Sequence, residues 1–164
     1  MSVKKEVPGS TQLAAARRSA EAEVRALIDK FAPAYLRLVN ATRRSLQERL
    51  PTAHEVVYEY RDCFVISFSP NERGYDGVLA IRGSEKGVEL YFNNGKQLPD
   101  PAKLLQGSGK LVRSINLESA STLARPEVAR LIELAISQNP VPYAREGRGS
   151  VLIRPTAAKK RSAT

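Results

Sequence analysis

Gly107, Gly109 and Lys110 fall within the tetrapeptide GSGK, and Arg113 follows three residues after the lysine. Glycines let successive backbone N–H groups converge on an anion, and a flanking lysine and arginine add positive charge, so this cluster could hold a phosphate or carboxylate. It is not a Walker A loop. That loop needs a glycine five residues before its Gly-Lys pair and a Ser or Thr after it, whereas Leu104 and Leu111 occupy those positions. Lys103 supplies one more cation nearby. The plain structural alternative is a flexible turn leading into a strand.

Other chemistry is thinly supplied. His54 is the sole histidine, so no two-histidine metal site or catalytic pair can be assembled, and its position after Pro51-Thr52-Ala53 suits a junction residue. Cys63 is the sole cysteine and adjoins the apolar run FVISF, which fits a small strand residue better than a nucleophile. It also excludes an internal disulfide, in keeping with a reducing, cytoplasmic setting. The carboxylates are scattered rather than clustered, so no hard-metal site is legible. No catalytic set and no metal-ligand set is identified, and the expectation is a non-enzymatic protein without a cofactor.

These residues must be positioned by elements whose periods change along the chain. Val24, Leu27, Ile28 and Phe31 recur at helical spacing, and Pro33 can open a second helix with Tyr35, Leu38, Thr42, Leu46 and Leu50 on one face. After Pro51 the period becomes two. Val56, Tyr58 and Tyr60 alternate with Glu55, Val57 and Glu59, and Phe64, Ile66 and Phe68 alternate with Val65, Ser67 and Ser69. Tyr58 and Tyr60 are expected in the hydrophobic core rather than as a stacking platform. The turn-rich PNERGYDG leads to GVLAIR and GVELYF, then to a strand at Leu111 to Leu117, and Pro126 opens a helix bearing Val128, Leu131, Ile132, Ala135 and Ile136. Helices, then strands, then a helix predict an α+β fold: an antiparallel sheet of about five strands with the N-terminal helices and the C-terminal helix on one face.

That arrangement creates a second candidate surface. With Phe64, Ile66, Phe68, Leu79, Ile81, Val88, Leu90 and Phe92 toward the helices, alternation leaves Ser67, Ser69, Arg82, Glu89, Tyr91, Ser114 and Asn116 on the open face. Arg82 and Tyr91 could bind a ligand there, although antiparallel sheets often simply expose one face to water. Arg113 has the opposite parity. It shares a face with Ile115 and Leu117, so it must pair with a carboxylate or ligand, or snorkel past the sheet end.

The formal net charge of +9 is concentrated at the ends, with +3 in residues 1–18 and +5 in residues 145–164, which leaves 19–144 at +1. Residues 1–18 therefore read as a basic flexible segment, 19–139 as the folded domain, and 140–164 as a basic tail with a possible edge strand at 150–154. Arg145, Arg148, Arg154 and the Lys159–Arg161 run could contact nucleic-acid phosphates. The apolar runs are far shorter than the ~20 residues a bilayer span requires, so no membrane association is expected.

The segment LPDPAKLLQGSGKLVRSINL, Leu98 to Leu117, resembles a motif of the YdhG-like family of domains of unknown function: a Leu-Pro-Asp-Pro turn, a Gly-x-Gly-Lys loop and an arginine-bearing strand. The resemblance extends more loosely over about three quarters of the chain. It implies helices packed on an antiparallel sheet. Some members are described as frataxin-like iron chaperones, which implies an acidic iron-binding surface and delivery to a partner. The near-neutral centre and basic ends depart from that pattern, so no iron-binding residues are carried over. The leading expectation is a binding module for an unknown small anion or protein, contacting it first through Gly107, Gly109, Lys110 and Arg113, and second through Arg82 and Tyr91. Iron delivery and nucleic-acid association through residues 145–164 are the alternatives.

Overall fold

Helix propensity carries the first helix further toward the N-terminus than its apolar stripe does. In the computed structural model, which describes residues 10–154, helix α1 runs Ser10–Phe31. Val24, Leu27 and Ile28 are buried, as their spacing predicts. The flexible segment expected over 1–18 is instead helical from Ser10 onward. Ala14, Ala15 and Ala16 favour helix while burying little, so turns with no apolar periodicity still extend the element.

Pro33–Tyr35 forms a 3-10 turn, and α2 follows at Leu36–Arg49, burying Val39, Thr42, Arg43 and Leu46. The buried face is thus rotated from the one expected through Tyr35 and Leu38. Arg43 explains the rotation. Its Nε donates to Glu55 at 2.9 Å, and its two terminal nitrogens donate to the carboxylate of Glu21 at 2.8 and 2.9 Å. Gln47 donates to the other oxygen of Glu55 at 3.0 Å. A buried guanidinium is tolerated only when so fully partnered, and this one ties both helices to the first strand.

The strands are β1 His54–Glu59, β2 Cys63–Ser69, β3 Leu79–Ser84, β4 Gly87–Phe92, β5 Arg113–Leu117 and β6 Val151–Arg154, with α3 at Pro126–Ser137 between the last two. They form one sheet in the order β5-β4-β3-β2-β1-β6. The first five make the expected antiparallel meander. The sixth lies parallel to β1, so the sheet is mixed and has six strands. A parallel neighbour needs a long return connection, and the chain through α3 and residues 138–150 provides it.

One glycine permits that closure: a Cβ on Gly149 would fall on the backbone carbonyl of Ala53. Tyr143 secures the same return segment. Its hydroxyl donates to the Phe68 carbonyl at 2.6 Å and accepts from the Val78 N–H at 3.1 Å, and burial pushes its ionisation up to about 12. Phe64, Ile66, Phe68, Leu79, Ile81, Leu90 and Phe92 are fully buried and join α1, α2 and α3 residues in one core. The helices therefore cover one sheet face, and the other is available for a site.

Candidate functional site

Two hydroxyls on β2 fold the connection after it across the open sheet face. Ser67 donates to the Gly74 carbonyl at 2.6 Å, and Ser69 donates to the Arg73 carbonyl at 2.6 Å. The Gly74 N–H in turn donates to the Tyr58 hydroxyl at 3.2 Å. Gly74 must be glycine at this approach, because a Cβ would collide with the Tyr58 ring. The result is a wall raised over β1 and β2, capped by exposed Tyr75. Arg73 lies over the Tyr75 ring at 5.6 Å and pairs with Asp76 at 3.1 Å.

Between that wall and the sheet lies an open concavity of about 530 Å³, lined by Tyr58, Tyr60, Tyr75 and Tyr91 with Cys63, Val65, Ser67, Ala80, Arg82 and Asn93. The register builds its floor: Tyr58 faces Val65, Val65 faces Arg82, and Arg82 faces Glu89 on successive strands. Tyr58 and Tyr60 have ring centroids 6.3 Å apart and tilted by 34°. Their expected core role is thereby corrected. Glu55 and Val57, at the opposite parity, take the helix side of β1 because Arg43 supplies a buried partner for the carboxylate.

Electrostatically the floor is a guanidinium among neutral phenols. Burial, followed by the neighbouring Tyr58 and Cys63, pushes Tyr60 above the usual phenol value. Burial and then Glu89 do the same for Tyr91. Burial alone would lower Arg82, but Cys63, Tyr91 and Glu89 outweigh it and hold the guanidinium above its ordinary value. Its pairing with Glu89 is long, 3.4 Å, and both side chains are about 30% exposed. A guanidinium has five N–H donors in a planar fork, so its contacts with Glu89 and Cys63 leave donors able to receive an anion. Four rings and a cation can stack and hold a flat anionic group.

The loop expected to serve first is built differently. Gln106 and Ser114 exchange backbone hydrogen bonds at 2.8 and 2.9 Å, which closes GSGK into a hairpin tip. Gly107 adopts a positive φ of 122° there, and Gly107, Gly109 and Lys110 are exposed. Arg113 Nη1 donates to the carbonyls of Gly109 and Val112, each at 2.7 Å. It snorkels past the sheet end, held by these carbonyls and by no carboxylate among the described residues. The loop aims carbonyl oxygens, not N–H groups, at its cation, which is the wrong polarity for an anion nest. Upstream, the Asp100 carboxylate accepts from the Leu104 and Leu105 N–H groups at 2.9 Å each, so the Leu-Pro-Asp-Pro turn is a backbone-ordering device.

The remaining sequence candidates separate. His54 Nδ1 accepts from the Ser150 N–H at 3.1 Å, a junction contact between β1 and the β6 approach. Arg154 lies 3.7 Å from Glu72, Arg148 lies beside α1, and Lys159–Arg161 fall outside the described residues. Among the described residues no three His, Cys, Asp or Glu side chains gather into a possible metal site, and no helix is long and apolar enough to cross a membrane.

Of the lining residues, Arg82 and Tyr91 are legible from strand alternation, whereas Tyr58, Tyr60, Tyr75 and Asn93 are not. The available signal was the short Arg61-Asp62 turn, closed by the Tyr60 N–H on the Cys63 carbonyl at 2.8 Å. A hairpin that tight places Tyr58 opposite Val65 and so on the face of Ser67. Comparison of the chain with protein-family models, with curated proteins and with solved structures returned no match.

Proposed function

We propose that this protein is a non-catalytic binding module whose site is the tyrosine-lined open sheet face, and that it takes a small planar aromatic molecule bearing a phosphate or carboxylate. The observation that carries this reading is Arg82 on the floor of a concavity walled by Tyr58, Tyr60, Tyr75 and Tyr91. Tyrosine rings supply stacking area at low entropic cost, and a partly desolvated guanidinium supplies the anion contact. The phenols are held neutral and the arginine is held charged, a combination suited to holding a ligand rather than to moving a proton. The YdhG-like resemblance, to a family of domains of unknown function, belongs to the same proposal. Iron delivery draws no support from the described carboxylates.

Calorimetry with AMP and with indole-3-acetate as probes tests the reading. Both are expected to bind the full chain, with adenosine and inorganic phosphate each weaker than AMP. Arg82→Gln should weaken AMP by about tenfold or more, because a hydrogen bond to a charged group contributes ~1.5–3 kcal/mol. Equal binding of AMP by the wild type and Arg82→Gln would overturn the site, and no heat from either aromatic anion would overturn the ligand class.

A further inference from the structure

A groove of about 1160 Å³ runs between α1 and the approach to β6, away from the tyrosine face and lined by Leu13, Arg17, Arg18, Arg148, Val151 and Leu152 among others. Its floor is apolar, and Leu13 stands 57% exposed above it. Among the described residues three arginines border the groove, whereas its one carboxylate, Glu21, is already engaged by both terminal nitrogens of Arg43. Burial first, and the neighbouring Arg148 second, hold the Arg17 guanidinium below its usual value, and the two cations stand close to one another. Arg17 reaches the Gly149 carbonyl at 3.4 Å, so this positive charge sits against the backbone that leads into β6.

Strand β6 is an edge. Among the described residues β6 has a neighbour on one side only, β1. The Glu55 N–H donates to the Ser150 carbonyl at 2.9 Å, and Glu55 stands opposite Val151. In a parallel ladder this register turns the backbone groups of Ser150 and Leu152 toward β1 and those of Val151 and Ile153 outward. An outward row of N–H and C=O groups is a template for one more strand.

We infer that the groove receives an extended acidic polypeptide segment of a partner protein, which adds a strand to β6 while its carboxylates meet Arg17, Arg18 and Arg148 and its alternate apolar side chains lie on Leu13 and Val151. Charge selects this occupant over the chain's own ends, since residues 1–9 and 155–164 are both net basic. The same reasoning disfavours a second copy, because the whole chain carries +9. A nucleic-acid backbone would satisfy the arginines but would use neither the apolar floor nor the strand edge.

The test uses the full chain and a fluorescein-labelled peptide of alternating valine and glutamate, with an alternating threonine–glutamine peptide and an oligouridylate of matching charge as comparisons. Fluorescence anisotropy should show binding of the acidic peptide, weakened at least about fivefold by Arg17→Gln or Arg148→Gln. Amide hydrogen exchange should show Val151 and Ile153 slowed by the acidic peptide and by neither comparison. Val151→Pro should abolish peptide binding while leaving the thermal melt near wild type, because it deletes an outward N–H and keeps the β1 ladder. If that variant fails to fold, the exchange measurement still decides. Tighter binding of the oligouridylate, peptide binding without slowed exchange at Val151 and Ile153, or protection of those amides already in the free chain would each overturn the proposal.

Discussion

Arg43 shows how far one side chain can depart from its usual place. It is buried, donates to two carboxylates, and joins α1, α2 and β1 through three hydrogen bonds. Its effect on pH stability enters through Glu21, whose carboxyl is held below the usual range, first by the hydrogen bonds from Arg43. A carboxyl depressed in the folded state contributes stability that is complete above its unfolded value of ~4.3 and is lost as pH falls toward the folded value. Glu21→Gln should therefore melt below wild type at neutral pH, and the gap should narrow steadily once the pH drops below about 4.3. Thermal melts of the two proteins across the acid range measure this. A gap that stays constant to the acid limit would show that the ion pair contributes nothing. Arg43 was not legible in the sequence because arginine is scored as solvated, although Val39, Arg43, Leu46 and Leu50 carry the right spacing for a buried face.

At the scale of elements, the antiparallel meander was readable because period-two alternation and turn residues agree from Glu55 to Phe92. The two features that escaped have specific causes. The N-terminal turns of α1 have high propensity and no apolar stripe, so a criterion based on periodicity stops too late. The parity of β1 is not legible from residue type, because tyrosine favours a core position and glutamate a solvent one, whereas the register does the reverse. A strand edge at 150–154 was legible from its short apolar run, but its parallel direction depends on where the chain returns. Gly149 governs that return, since any side chain there meets the Ala53 carbonyl. Gly149→Ala is expected to cost about 1–3 kcal/mol, as overpacking at a fixed backbone contact does. Hydrogen exchange at Glu55 and Leu152 should accelerate more than at Ile66 in the sheet centre, and uniform acceleration would contradict a local role for the glycine.

Taken whole, the molecule divides its surface by chemistry. Helices seal one sheet face, a tyrosine-lined concavity with Arg82 opens on the other, and an arginine-bordered groove follows the β6 edge. The candidate site was half legible: alternation selected Arg82 and Tyr91, but the wall formed by residues 70–77 depends on long-range contacts such as Gly74 with Tyr58 that no local pattern reports. The GSGK loop was the more visible motif, but a tetrapeptide reveals glycines and a lysine and not which way its carbonyls point. Removing residues 145–164 would delete β6 along with the basic tail, so loss of a function in that truncation would not isolate tail charge.

Chemical-shift mapping of the full chain with AMP tests whether the tyrosine-lined face is the binding site. Shifts should centre on Tyr58, Cys63, Arg82 and Tyr91, with the amides of Gly107, Gly109 and Lys110 unmoved. Shifts centred on residues 107–113, or on the basic segment from Arg145 to Arg154, would contradict it.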